Sequence, residues 1–248
     1  MALYVYVKKK FGFNHKVVNY VSYFFLIGGV FLLFWSLYPI ISFGLYSKIF
    51  IERKIVSPVP RTFLAKPIEE AGSVLGNQMV FSSNLRDFTN IKLWFPSSQS
   101  FSKKKNLHLK KYKLSIPKLN IEEALVVVGG EDLSRSLIHF YPQSLPGEYG
   151  NIVIFGHSTL PQLYNSTDYK TIFTHLPSLE KKDKVYLIVE KIKYEYEVFD
   201  MFVVDPEETS VLEQRNDSAY LTLVTCVPPG TYWKRLIVRA KLSSLPLE

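Results

Sequence analysis

From residue 17 to residue 47 the chain carries no charged side chain. About 20 apolar residues are enough to cross a bilayer, and this stretch exceeds that. Its apolar centre, residues 24–37, contains the pair Gly28-Gly29. Tyr20, Tyr23, Trp35, Tyr38 and Tyr46 stand near its ends, where amphipathic rings favour the water–lipid interface. A secretory leader would have a shorter apolar core and a small-residue cleavage site. No A-x-A pattern follows here, so the expected element is an uncleaved membrane anchor over residues 17–46. Pro39 is expected to bend or end that helix.

The formal net charge of +8 suggests a polyanion partner until it is mapped along the chain. Residues 1–16 carry +4, residues 47–102 carry +3 and residues 103–113 carry +6. Residues 114–248 hold 13 basic and 18 acidic side chains, a net of −5. The basicity thus lies in a tail and a stalk, while the domain that could fold is acidic. A nucleic-acid groove needs positive charge on the domain itself, so no nucleic-acid partner is expected. A single cysteine excludes an internal disulfide and any multi-cysteine zinc site.

Four segments are expected: a basic tail (1–16), the anchor (17–46), a juxtamembrane stalk (47–106) and a folded domain (107–248). Pro58, Pro60 and Pro67 break the stalk, and a serine-rich stretch leads into Lys103-Lys104-Lys105. Residues 91–95 form an apolar patch within it, able to pack on something. Beyond residue 107 the pattern turns β-like, with candidate strands at 112–119, 124–128, 151–155, 185–189, 194–198, 220–225 and 235–242. Tyr194, Tyr196 and Val198 alternate with Glu195 and Glu197, the period of a half-buried strand. Asp205-Pro206-Glu207-Glu208 reads as the start of a short helix running to about residue 214. Many short strands at this spacing predict a mainly β, antiparallel-rich closed barrel of about eight strands with short helices, preceded by one amino-terminal transmembrane helix.

Chemistry concentrates in one place. Leu221-Thr222-Leu223-Val224-Thr225-Cys226 is an apolar, β-branched run that ends in the only cysteine. A Pro-Pro-Gly turn follows, and then a second apolar strand in Lys234-Arg235-Leu236-Ile237-Val238. A thiol beside a fixed cation has its ionised, nucleophilic form favoured. Among the histidines at 15, 108, 139, 157 and 175, His157 closes the strand-like Ile152-Val153-Ile154-Phe155-Gly156, whose glycine permits a sharp exit from a sheet.

These blocks resemble those of the sortases, membrane-anchored cysteine transpeptidases. The likeness covers residues 107–248. Thr222-Leu223-Val224-Thr225-Cys226 is similar to the family's T-L-x-T-C, and Lys234-Arg235-Leu236-Ile237-Val238 to its arginine strand. Pro146-Gly147 with Gly150-Asn151-Ile152-Val153-Ile154-Phe155-Gly156-His157-Ser158 is similar to its Gly-His strand. Ser115-Ile116-Pro117-Lys118-Leu119 is similar to its early strand.

The resemblance implies Cys226 as nucleophile, His157 as general acid and Arg235 as the group that steadies the oxyanion or holds substrate. Arg239 is the rival arginine, and strand alternation does not separate the two. Thr225 and Ser158 are expected to contact substrate. The implied reaction cleaves an LPxTG-like sorting signal after its threonine, holds the acyl group as a thioester, and passes it to a cell-wall amine. Membrane lipid is a further partner, and the amino terminus is expected in the cytoplasm with the catalytic domain outside. The clustered Lys8, Lys9, Lys10 and Lys16 balance Lys48, Arg53, Lys54 and Arg61, so charge alone leaves that orientation tied.

No cofactor is expected. Some relatives bind calcium, but Glu122, Glu123, Glu207 and Glu208 do not have the spacing of a calcium loop. No apolar tail and no lid motif stand out, which favours a single-span, class D/E-like anchoring enzyme over a pilus-building one. Val227-Pro228-Pro229 after the cysteine disfavours the transpeptidases that cross-link peptidoglycan. The competing function is a membrane-tethered β-barrel binding protein without catalysis.

Overall fold

A computed structural model describes residues 15–47, 51, 89–91, 94–95, 108–140 and 142–244. The basic tail before residue 15, most of the stalk and the lysine run 103–105 lie outside the described residues. The first element is helix α1 (His15–Tyr46), 32 residues long. At 1.5 Å per residue it extends for about 48 Å, more than the roughly 30 Å hydrocarbon layer. Its apolar side chains point outward on every side, the pattern of a helix surrounded by lipid rather than by protein.

Of the two outcomes expected at Pro39, a bend or an end, the helix does not end there; it continues to Tyr46. Proline removes a single backbone donor, a loss that membrane helices tolerate. One turn on, the hydroxyl of Ser42 donates back to the Pro39 carbonyl at 3.2 Å.

Eight strands then close into a barrel: β1 (Lys111–Ile116), β2 (Ile121–Val128), β3 (Leu137–Phe140), β4 (Gly150–Phe155), β5 (Lys184–Val189), β6 (Ile192–Val204), β7 (Ala219–Val227) and β8 (Lys234–Ser244). The order around the barrel is β1-β2-β3-β4-β7-β8-β6-β5, with β5 returning to β1. Six of the neighbouring pairs are antiparallel; β2 with β3 and β4 with β7 are parallel.

Three sequence expectations change in detail. The candidate strand 112–119 ends at Ile116, because Pro117 opens a tight turn over Pro117–Leu119. Strand β3 was not anticipated: its four residues are all buried, so it has no alternation to read. The short helix expected over 206–214 is only a one-turn 3-10 segment, Thr209–Leu212. The Glu208 N–H bonds back to the Asp205 carbonyl at 3.0 Å, so the Asp-Pro start closes a turn instead of launching a helix.

Two apolar layers hold the domain. Alternate residues of the strands fill the barrel interior, among them Leu114, Val126, Leu137, Ile154, Leu187, Val198, Leu223 and Val238. The intervening residues of one wall, including Val153, Phe155, Val224, Cys226 and Ile237, carry a second layer on the outside. Strand β7 therefore has both faces covered and is buried at all nine positions, which explains its nearly unbroken apolar sequence.

Part of the outer layer comes from the segment expected to be stalk. Ile91, Trp94 and Phe95 are each only 1% exposed and belong to this layer. Residues 89–91 are tied down edge-on: the Ile91 N–H donates to the Glu131 carbonyl at 3.1 Å, the Leu133 N–H to the Thr89 carbonyl at 3.0 Å, and Asn90 bridges to Asp132. This strap is thus built into the folded unit. The last turns of α1 also approach the barrel, where Ile40, Phe43 and Gly44 share a groove with Val227, Pro228 and Trp233.

The interior holds a buried histidine beside a buried tyrosine. His139 is fully buried on β3 and its Nδ1 lies 3.2 Å from the Tyr112 hydroxyl. Burial pushes its imidazole down to about 3. In the unfolded chain an ordinary histidine takes a proton near 6.5, so stability present above that pH drains away as pH falls from 6.5 towards 3. Denaturant unfolding of the full chain in detergent is expected to lose up to about 1.4 kcal/mol per pH unit to this residue. His139→Gln, which keeps a partner for Tyr112 and cannot titrate, should flatten the slope; an unchanged slope would refute the assignment.

Candidate active site

Strands β4 and β7 run side by side in the same direction, so both leave the sheet at one rim, and β8 enters there. Cys226 is the penultimate residue of β7, Arg235 the second residue of β8, and the two are cross-strand partners. His157 lies two residues beyond the end of β4. The alternation that sends Leu223 and Val227 into the barrel turns Val224 and Cys226 outward. The sulfur therefore lies in the outer layer, on the same side as Ile237 and under the strap.

Gly156 sets the corner between β4 and His157. Its N–H donates to the Val224 carbonyl at 3.1 Å, and it keeps an ordinary backbone conformation. Its role is thus close approach, not the conformational freedom anticipated from sequence. A Cβ here would run into the ring of Phe173 and lie 2.7 Å from a methyl of Leu137.

Arg235 is 4% exposed and spends its donors on main-chain carbonyls. Nε and Nη2 reach the Trp94 carbonyl at 3.2 and 2.9 Å, and Nη1 reaches those of Tyr232 at 2.8 Å and Lys234 at 3.2 Å. Its guanidinium also lies 5.3 Å from the Trp94 ring centre and 5.9 Å from that of Phe95. The Trp94 indole in turn meets the His157 ring edge to face, with centres 5.5 Å apart. One strap residue thus touches both the imidazole and the guanidinium. Sequence inspection saw no lid motif; the structure places Trp94 and Phe95 over the site. The available signal was the apolar patch 91–95, stranded in an otherwise polar, proline-broken segment.

The remaining candidates lie apart. Arg239 stands opposite Thr222, deeper along β8, with its guanidinium 5.0 Å from the Phe202 ring. His139 is in the barrel interior, and His175 packs against Tyr164 with ring centres 4.3 Å apart. Thr225 and Ser158, expected to meet substrate, both hydrogen-bond to backbone at the rim. The Thr225 hydroxyl donates to the Gly156 carbonyl at 2.8 Å, and the Ser158 hydroxyl to the Cys226 carbonyl at 2.6 Å. Among the described residues no cluster of three or more metal-ligating side chains is present.

The electrostatics follow from the cover. Burial pushes the Cys226 thiol up to about 11, against the opposing pull of Arg235. The sequence argument that a neighbouring arginine favours thiolate is outweighed here, because desolvation of the anion exceeds the attraction of a guanidinium already committed to carbonyls. Burial also takes His157 down to about 4; Asp132 and Asp168 act to raise it and Lys170 to lower it. The covered pair is consequently thiol and neutral imidazole at neutral pH.

Residues 114–243, more than half of the chain, match the family model of the sortase domain. The chain belongs to the sortase family. It is 30% identical over 132 residues to sortase D of Bacillus subtilis (strain 168), covering 52% of this chain and 61% of that one. It is 28% identical over 130 residues to sortase A of Bacillus anthracis, covering 52% and 58%. It thus spans about three-fifths of the length of these curated relatives. Among solved structures, a Clostridium perfringens sortase D5 transpeptidase aligns with a TM-score of 0.47 at 27% identity, over 64% of this chain and 98% of that one. Sortase A from Corynebacterium diphtheriae aligns with a TM-score of 0.48 at 31% identity, over 55% and 62%.

Two outcomes are expected of this sortase site. Trp94→Ala removes a large ring from the buried layer that holds Cys226, so alkylation of Cys226 by iodoacetamide should accelerate and its pH midpoint should fall from about 11. A rate and midpoint equal to wild type would show that Trp94 does not control the thiol. Gly156→Ala should destabilise the fold by roughly 1–3 kcal/mol through overpacking against Phe173 and Leu137, as read by denaturant unfolding.

Proposed function

We propose that this sortase is a cysteine transpeptidase that cleaves an LPxTG-like sorting signal and transfers the acyl part to a cell-wall amine. The observation that carries the reading is the Cys226–Arg235 cross-strand pair on the outer face of the barrel, at the rim where β4 delivers His157. In the proposed reaction Cys226 is the nucleophile, His157 the general acid and base, and Arg235 the oxyanion donor.

A substrate peptide first displaces the strap. Its carbonyl takes over the Nε and Nη2 donors that the Trp94 carbonyl occupies. The imidazole, freed from the indole, accepts the thiol proton. The thiolate adds to the scissile carbonyl carbon, and charge develops on an oxygen aimed at the guanidinium. As the C–N bond breaks, the imidazolium hands its proton to the departing amine. A thioester remains. An incoming amine loses a proton to neutral imidazole, attacks the thioester, and expels the thiolate as the new amide forms. Bond energy passes from amide to thioester to amide, so no nucleotide is consumed and no cofactor is needed.

In the proposed topology α1 anchors the enzyme in the cell membrane as a single-pass protein, with the amino terminus cytoplasmic and the barrel outside; the length and apolar character of α1 support the anchoring. The last turns of α1 stand beside Val227, Pro228 and Trp233. The reactive rim therefore meets its partners close to the lipid surface.

The test is incubation of the full chain in lipid nanodiscs with a fluorogenic library of sorting-signal peptides and a small amine. A peptide–amine adduct is expected, lost in Cys226→Ala and His157→Ala. In Arg235→Ala turnover should fall by about 10²–10³, the usual cost of one oxyanion donor. Peptide binding without adduct, unchanged in Cys226→Ala, would favour the tethered binding protein. Normal turnover in Arg235→Ala with loss in Arg239→Ala would move the arginine role to Arg239.

A further inference from the structure

The parallel pair β4–β7 stops forming backbone rungs at the point where the site begins. Its last backbone rung is the Gly156 N–H to the Val224 carbonyl, 3.1 Å. The chain then turns away at His157, and the next two carbonyls, those of Gly156 and Cys226, have no continuing strand opposite them. Hydroxyls take both. Thr225 Oγ1 donates to the Gly156 carbonyl at 2.8 Å and Ser158 Oγ to the Cys226 carbonyl at 2.6 Å. The bonds run in opposite directions, one from β7 to the corner and one from the corner to β7. They bracket His157 on one side and Cys226 on the other. From behind, the Phe173 N–H donates to the His157 carbonyl at 2.9 Å, and the Thr159 N–H to the Thr174 hydroxyl at 3.0 Å.

We infer that Ser158 and Thr225 are positioning residues: they extend the ladder by two side-chain rungs and so fix the imidazole-bearing corner against the end of the thiol-bearing strand. The inference rests on the reading that Cys226 and His157 act together. It departs from the sequence expectation that these hydroxyls touch substrate. Thr225 is 0% exposed and cannot offer its hydroxyl to a peptide without breaking the bond to Gly156. The Ser158 bond, at 2.6 Å, lies at the short end of the O–H···O range. Precision of this kind matters because a misplacement of about 1 Å between reacting groups can cost 10²-fold in rate.

The experiment uses the full chain in nanodiscs, with Ser158→Ala and the isosteric Thr225→Val, and Ser158→Thr and Thr225→Ser as hydroxyl-retaining controls. Ser158→Ala and Thr225→Val should lower kcat roughly 10- to 100-fold and leave KM within about twofold. The hydroxyl-retaining variants should restore kcat to within severalfold of wild type. A rise in KM at constant kcat would instead make the hydroxyls substrate contacts and overturn the proposal. Unchanged kcat and KM with a lowered unfolding midpoint would reduce them to structural bonds and overturn it equally.

A second measurement needs no substrate and separates this inference from the function it rests on. The effect of His157→Ala on the pH dependence of Cys226 alkylation is measured in wild type and in the Ser158→Ala background. Coupling through the clamp predicts a non-additive cycle, with the His157 effect diminished when the Ser158 hydroxyl is gone. Equal His157 effects in both backgrounds would sink the clamp even if transpeptidation is active. Absence of any adduct from wild type, with coupling intact, would sink the assigned reaction and leave the clamp standing.

Discussion

The guanidinium of Arg235 is the group on which the rim is organised. It lies beneath the strap with its donors on three main-chain carbonyls, two of its bonds going to Trp94. A guanidinium has only donors to offer, so the carbonyls it holds can be replaced by other acceptors. That single property links the packing of the strap, the burial of the thiol and the proposed recognition of a peptide, which presents carbonyls of the same kind.

Topology supplies the rest of the convergence. An antiparallel neighbour would have placed the exit of β4 at the far rim from the end of β7. The parallel pairing of β4 with β7 brings His157 and Cys226 out together, although they are far apart along the chain. The antiparallel turn into β8 then returns Arg235 to face Cys226. Three separate stretches meet because of one parallel and one antiparallel pairing, and neither depends on the side chains proposed to react. The barrel can therefore keep its interior layer intact while the outer layer is rearranged over the site.

Much of this was legible in the sequence, for physical reasons. The anchor stood out because lipid demands an unbroken apolar helix. Strands β1, β2 and β4–β8 showed through alternation or dense β-branched runs, and the T-L-x-T-C and arginine blocks marked the site. What remained hidden needed tertiary information. Strand β3 is buried on both faces and has no period. Gly156 resembled a turn glycine, but the ring of Phe173 is what excludes a side chain there. The thiol was expected to be acidified by Arg235, and burial reversed the sign. The strap was the largest omission: an apolar patch inside a polar segment does not announce which surface it will cover.

The two clamping hydroxyls and the strap place opposite demands on one small region. Ser158 and Thr225 fasten the corner and strand through bonds that need not change during a reaction. Trp94 meets that corner through its ring contact with His157 and holds Arg235 on β8 through its carbonyl, and in the proposed reaction both contacts are released when a peptide enters. A site held only by the strap would lose its geometry on opening. A site held only by the clamp would leave a thiol open to solvent and oxidants. On the proposed function, dividing the work would let the cover leave while the reacting groups stay in register: the bonds on the sheet side of the rim would belong to the scaffold, and those on the strap side to the resting state.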